Sequence, residues 1–169
     1  KLNEKNNAEL YYQNALKVRP DSKNVLHSLA ILYDEIKDWN KSDSIYVKLI
    51  EIDDKDAQAF NNYAYSLVER NLSLPKALEM AKKAIDIEPD NASYLDTIGW
   101  IYFKMDKLGK AKKFIELSIE INSENATVLE HLGDILMRID QGENALELYK
   151  KALLLDKDNI RLKQKVDPD

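Results

Sequence analysis

One internal period constrains this chain more than any other feature. Four segments superpose residue for residue: KNVLHSLAILYDEIKDWNKSDSIYVKLIEIDDKD (23–56), AQAFNNYAYSLVERNLSLPKALEMAKKAIDIEPDN (57–91), ASYLDTIGWIYFKMDKLGKAKKFIELSIEINSEN (92–125) and ATVLEHLGDILMRIDQGENALELYKKALLLDKDN (126–159). The first, third and fourth are 34 residues long; the second has 35, its extra residue falling near Asn71 to Leu74. AELYYQNALKVRPDS (8–22) matches the back half of the others, so residues 1–22 make half a unit. A period of this size implies stacked supersecondary units, none of which can bury its apolar face alone.

Within each unit the apolar residues recur at helical spacing in two runs joined by a short turn. In the third unit they are Leu95, Ile98 and Tyr102, then Ala111, Phe114, Ile115 and Ser118. Small residues stand where two helices must approach closely. Ala30, Ala64, Gly99 and Gly133 hold the eighth position, and Ser42, Ala77, Ala111 and Ala145 open the second helices. Pro20 and Pro89 mark the ends of units. With four glycines and four prolines in 169 residues, a many-stranded β fold lacks its turns, and the predicted class is all-α.

The residues Leu95, Ile98-Gly99, Tyr102, Ala111, Ile115 and Ser118, and Leu129, Leu132-Gly133, Leu136, Ala145, Tyr149 and Ala152, resemble the signature of the tetratricopeptide repeat. The resemblance covers nearly the whole chain. It implies a right-handed superhelical solenoid in which the first helices of successive units line a concave groove. Two departures, Ala81 where the second helix has an aromatic and Leu49 where Ala is typical, imply repacking between the first and second full units. Residues 160–169 are expected to form either a short cap, with Ile160, Leu162 and Val166 inward and Arg161, Lys163 and Lys165 outward, or the start of a truncated further repeat. The chain reads as an excerpt from a longer protein.

By the same resemblance, positions 2, 5, 6, 9, 12 and 13 of each first helix face a ligand. The groove residues so selected are Asn61, Asn62, Tyr65, Glu69, Asp96, Trp100, Lys104, Glu130 and Asp134. Trp100 stands at position 9, outside the packing set, and is read either as a ligand-facing anchor beside Tyr65 or as packed on the neighbouring first helix. Trp39 takes a turn-packing place. Adjacent Asn61 and Asn62 carry donors and acceptors suited to an extended peptide backbone. Asp34, Glu35, Glu69, Asp96, Glu130 and Asp134 oppose only Lys104 and Arg138, a field that favours a basic or amide-rich segment.

The family's acidic-tail clamp of Lys, Asn and Arg is missing, since His27 and Ile31 stand at two of its places. Catalysis is not expected: the glycines are isolated and the serines lack a nucleophile-elbow context. No cofactor is implied. The absence of cysteine excludes disulfides and thiolate metal sites. Glu130, His131 and Asp134 make a conceivable weak metal site, read instead as solvated groove residues. A net charge of −5 with an acidic groove argues against nucleic acid, and no apolar run approaches the ~20 residues that span a bilayer.

Three roles fit: a scaffold binding a protein or peptide segment, a self-assembling array that dimerises through its open ends, or the substrate-recruiting arm of an enzyme whose catalytic domain lies elsewhere. The strings NNYAY, YLDTIGW and LEHLGD resemble segments of bacterial proteins of this family, which leaves cytoplasm and cell envelope both open.

Overall fold

The structure, a computed structural model, describes residues 2–167. Ten helices follow one another: α1 (Leu2–Val18), α2 (Lys23–Glu35), α3 (Trp39–Ile52), α4 (Ala57–Glu69), α5 (Leu74–Ile87), α6 (Ala92–Lys104), α7 (Leu108–Ile121), α8 (Ala126–Arg138), α9 (Gly142–Leu155) and α10 (Ile160–Val166). Helices α2 to α9 form four antiparallel hairpins, one per full unit, stacked into an all-α solenoid. Among the described residues no helix is long and apolar enough to cross a membrane.

The small residues do what close approach requires. Ala30, Ala64, Ser42, Ala77, Ala111 and Ala145 are fully buried. A Cβ on Gly99 would stand 2.7 Å from Ile115 Cδ1, and one on Gly133 would collide with the Tyr149 ring. Glycine is therefore needed at these two contacts, while the first full unit has Ala30 at the register that faces Tyr46 and the second has Ala64 at the register that faces Ala81, all four buried. The repacking expected from Leu49 and Ala81 concerns a different contact, where the first full unit meets the second. Leu49 is fully buried, and the Tyr46 ring of the first full unit stacks on Tyr63 of the second at 5.6 Å.

Each unit ends on a residue that starts the next helix. Asp56, Asn91, Asn125 and Asn159 accept from Ala59, Ser93, Thr127 and Leu162 backbone N–H groups at 3.0 to 3.2 Å, which satisfies donors the first turn leaves unpaired. The hairpin turns share one left-handed residue at one register position, with φ of 63° at Lys37, 52° at Asn71, 58° at Asp106 and 59° at Asp140. The extra residue of the second unit adds Ser73 at 45°. None of these is glycine, so the turn strain is carried by side chains that Asn and Asp tolerate better than Lys.

Helix α10 departs from its predicted facing. Leu162 is fully buried as expected, but Ile160 is 70% exposed. Lys165, read as outward, folds inward. The helical period explains both: Leu162, Lys165 and Val166 are three and four residues apart and share a face, whereas Ile160 lies two residues earlier, across the axis. Pro168 and Asp169, the last residues of the expected cap, lie outside the described residues.

Candidate functional site

The first helices α2, α4, α6 and α8 present positions 6, 9, 12 and 13 along one flank, and two of the hollows that open there lie among the full units. The first, about 370 Å3, lies between the first and second full units. Ile31 and Tyr65 bound it, 41% and 38% exposed, with Trp39, Tyr46, Asn62 and Glu69 around them. Below them Asp34 is fully engaged: Tyr46 Oη donates to Oδ2 at 2.8 Å and Ser66 Oγ donates to Oδ1 at 2.9 Å. Burial, with Asp34 beside it, pushes the Tyr46 hydroxyl far up from its ordinary range. Glu35 pairs with Lys5 at 3.0 Å and keeps a side chain 55% exposed. The Tyr65 hydroxyl is pushed up to about 12, by burial first and then by the carboxylate of Glu69. Trp39 sits half-buried at the turn, with the Arg70 guanidinium 5.1 Å from its ring centre.

The second hollow, about 340 Å3, lies between α4, α6, α8 and α10, and Tyr65 and Glu69 line it as well as the first. These two residues therefore form the ridge between the hollows. The floor is Trp100, only 7% exposed. Its ring stacks on Phe103 at 4.8 Å and on His131 at 3.9 Å, nearly parallel to both. Its Nε1–H donates to Glu69 Oε1 at 3.0 Å, and the Lys104 ammonium stands 4.6 Å from the ring centre. The wall is an ion cluster: Lys165 Nζ donates to Glu130 Oε1 at 2.8 Å and to Asp134 Oδ1 at 2.5 Å. Asp134 Oδ1 also accepts from Tyr149 Oη at 2.8 Å, and Arg161 reaches Glu130 at 3.6 Å.

The structure thus brings Tyr65, Glu69, Trp100, Lys104, Glu130 and Asp134 together around the second hollow and places Asn62 in the first. It does not bring Asn61 or Asp96 to either. Both are 7% exposed, inside the seams between units. Asn61 Nδ2 donates weakly to Asn62 Oδ1 at 3.4 Å, and its own Oδ1 has no partner among the described residues. Asp96 is 2.8 Å from His131 Nδ1. His27 is likewise buried, with Nε2 3.1 Å from Asp56.

Three expectations are corrected here. Trp100 is not an exposed aromatic: the His131 ring from the next unit covers it, so the packing alternative describes its surroundings. Glu130 and His131 are not solvated, being 5% and 6% exposed. Glu130 turns with Asp134 to Lys165 while His131 turns to Asp96, so the three do not converge as a ligand set. The acidic excess is also smaller than the first helices alone suggested. Arg161 and Lys165 of α10, which sequence reasoning missed, enter the second hollow and leave three acids facing three bases in its lining.

Comparison with known proteins agrees with this architecture. Residues 92–125 and 128–159 each match a sequence model of the tetratricopeptide repeat. A TPR repeat-containing protein of Pseudomonas aeruginosa, PA4667, is 28% identical over 102 residues, which is 60% of this chain and 17% of that protein. The chain thus matches a small part of that relative's length. Two solved structures share the fold. A thermophilic TPR protein of Thermus thermophilus, TTC0263, superposes with a TM-score of 0.84 at 18% identity, over 98% of this chain and 90% of that one. Pseudomonas aeruginosa pilF superposes with a TM-score of 0.79 at 21% identity, over 96% of this chain and 74% of that one. The first two full units repeat the hairpin and the turn of the two that match by sequence, so the tetratricopeptide repeats found at residues 92–125 and 128–159 belong to an array with one fold throughout residues 23–159.

Proposed function

We propose that this chain is a non-catalytic protein-interaction scaffold whose concave face seats an extended partner segment at the hollow between the first and second full units. The observation that carries this reading is the pair Ile31 and Tyr65, half-exposed apolar groups at the same register position of adjacent units. In these two units position 9 is left half-open, so the aliphatic and the aromatic there offer a partner an apolar seat. Asp34, Glu35 and Glu69 stand around that seat. The partner chemistry that fits is an apolar side chain flanked by lysine or arginine. The basic preference read from the sequence is kept, confined to this half of the face. In the other half Lys104, Arg161 and Lys165 already answer the acids.

A random peptide library displayed on phage, panned against the chain and against an Ile31→Ser, Tyr65→Ala variant of unchanged helicity, tests this. Enriched sequences should carry an apolar residue between basic ones, and should bind the variant at least about tenfold more weakly, the effect of losing roughly 1.4 kcal/mol of anchor contact. Peptides that bind parent and variant alike would remove the hollow from the reading. Enrichment of acidic sequences would overturn the partner chemistry while leaving the hollow in place.

A further inference from the structure

The chain contains its own controls, because five second helices occupy one register. The penultimate residue of each is Lys17, Glu51, Asp86, Glu120 and Leu154, in α1, α3, α5, α7 and α9. All five are exposed. Exposure at this position is therefore a property of the register: Glu51, Asp86 and Glu120 stay in solvent although another unit follows each of them. Four units place a charge where solvent demands one, and the fourth full unit places a leucine that is 71% exposed.

Beside Leu154 lies a hollow of about 440 Å3 between α7 and α9. Leu129 and Leu132 of α8 floor it and Leu148 lines it. At 3.6 residues per turn, Leu129 and Leu132 lie on the flank of α8 opposite Glu130, His131 and Asp134, so this hollow faces away from the concave lining. Its rim carries Glu124 on the α7–α8 turn and Lys151 on α9. Both are exposed, and among the described residues neither has an ion-pair partner.

We propose that this face binds a second copy of the same chain about a two-fold axis. The patch holds both a protruding leucine and an apolar recess next to it, so two copies facing each other can each insert Leu154 into the other's hollow. The rim holds one acid and one base, so the same rotation sets Lys151 of each copy against Glu124 of the other. An isologous interface requires that self-complementarity. An unrelated partner would need only one half of each pair.

Sedimentation velocity over a concentration series tests the proposal. The parent should pass from monomer to dimer mass, and Leu154→Glu, which restores the acidic residue of the three preceding full units, should remain monomeric with unchanged circular dichroism and melting temperature. Lys151→Glu and Glu124→Lys should each weaken association, and the two together should restore it. A parent that is monomeric at every concentration overturns the proposal and leaves the patch to a different protein. Association that survives Leu154→Glu also overturns it, since another surface, such as the ends of the array, then does the pairing. Peptide capture in the concave hollow should be unchanged in Leu154→Glu, so either reading can fail without the other.

Discussion

Position 9 of the first helix holds Ile31 and Tyr65 in the first two full units and Trp100 and Asp134 in the next two, and the second pair is covered where the first is open. The difference does not arise within each helix. It is set by position 6 of the following unit, which reads Asn62, Thr97, His131 and Lys165 in turn. The short side chains of Asn62 and Thr97 leave Ile31 and Tyr65 half in solvent. The long ones reach back across the seam: His131 stacks on Trp100, and Lys165 bonds Asp134. A groove residue is available to a ligand when its C-terminal neighbour is too short to cover it. One half of the concave face is thus a surface, and the other is part of the seam that holds the units together.

That contrast breaks first if Trp100→Ala costs no stability. The ring has neighbours on both faces and a hydrogen bond at its edge, so its removal should cost about 3–5 kcal/mol. Chemical denaturation gives the size, and hydrogen exchange should place the loss in α6 and α8, since a repeat array responds locally.

His131→Thr copies the second seam into the third and should come next, at about 3 kcal/mol. It removes the stack and leaves Asp96 buried without its partner. In a Trp39→Phe background Trp100 is the single indole of a chain that has two tryptophans, and its emission should shift to the red as it becomes exposed. Unshifted emission would show that position 6 does not control the cover.

Lys165→Met should cost less, about 2 kcal/mol. It leaves Glu130 and Asp134 facing each other, but the lysine side chain is 29% exposed and Arg161 remains to answer Glu130. Thermal denaturation of the variant beside Lys163→Met, a change on the same helix that leaves the cluster intact, isolates the effect. Equal losses would make Lys165 an ordinary surface residue.

The fold was legible because its determinants are local and repeated. Ala30, Ala64, Gly99 and Gly133 recur at one spacing, and any pairing that satisfies one satisfies all. The helix caps Asp56, Asn91, Asn125 and Asn159 recur as plainly, although Pro20 and Pro89 are the more conspicuous marks of a unit's end. The left-handed turn residues left only a weak signal, since Asn71, Asp106 and Asp140 tolerate such a φ without being the glycine that usually announces it, and Lys37 is neither. The site was legible only by flank. Taken helix by helix, Asn61, Asp96, Trp100 and Glu130 point toward the groove. For Asp96, Trp100 and Glu130 the covering side chain comes from one unit later, a relation between residues 31 to 35 apart that helical periodicity within one helix does not contain. Lys165 was misread for the related reason that α10 stands to α8 as α8 stands to α6.

Tyr65→Ala has the smallest expected effect on stability and is the sharpest use of the comparison, because it repeats the Trp100 truncation at the same register position one unit earlier. Tyr65 is 38% exposed, stands on the ridge between the hollows, and has no ring from the following unit above it. Truncating it removes only part of a side chain's transfer energy, about 1 kcal/mol or less, and opens no enclosed cavity. Denaturation midpoints of the two alanine variants, measured side by side, should therefore differ severalfold in their shift from the parent. If Tyr65→Ala costs as much as Trp100→Ala, the N-terminal hollow is structural like its neighbour, and the exposed apolar pair loses its claim to be a binding seat. If the cost is small while the panned peptides lose their hold, then two aromatic residues at one position serve different ends, Trp100 in cohesion and Tyr65 in recognition, according to whether a histidine or a threonine follows one unit on.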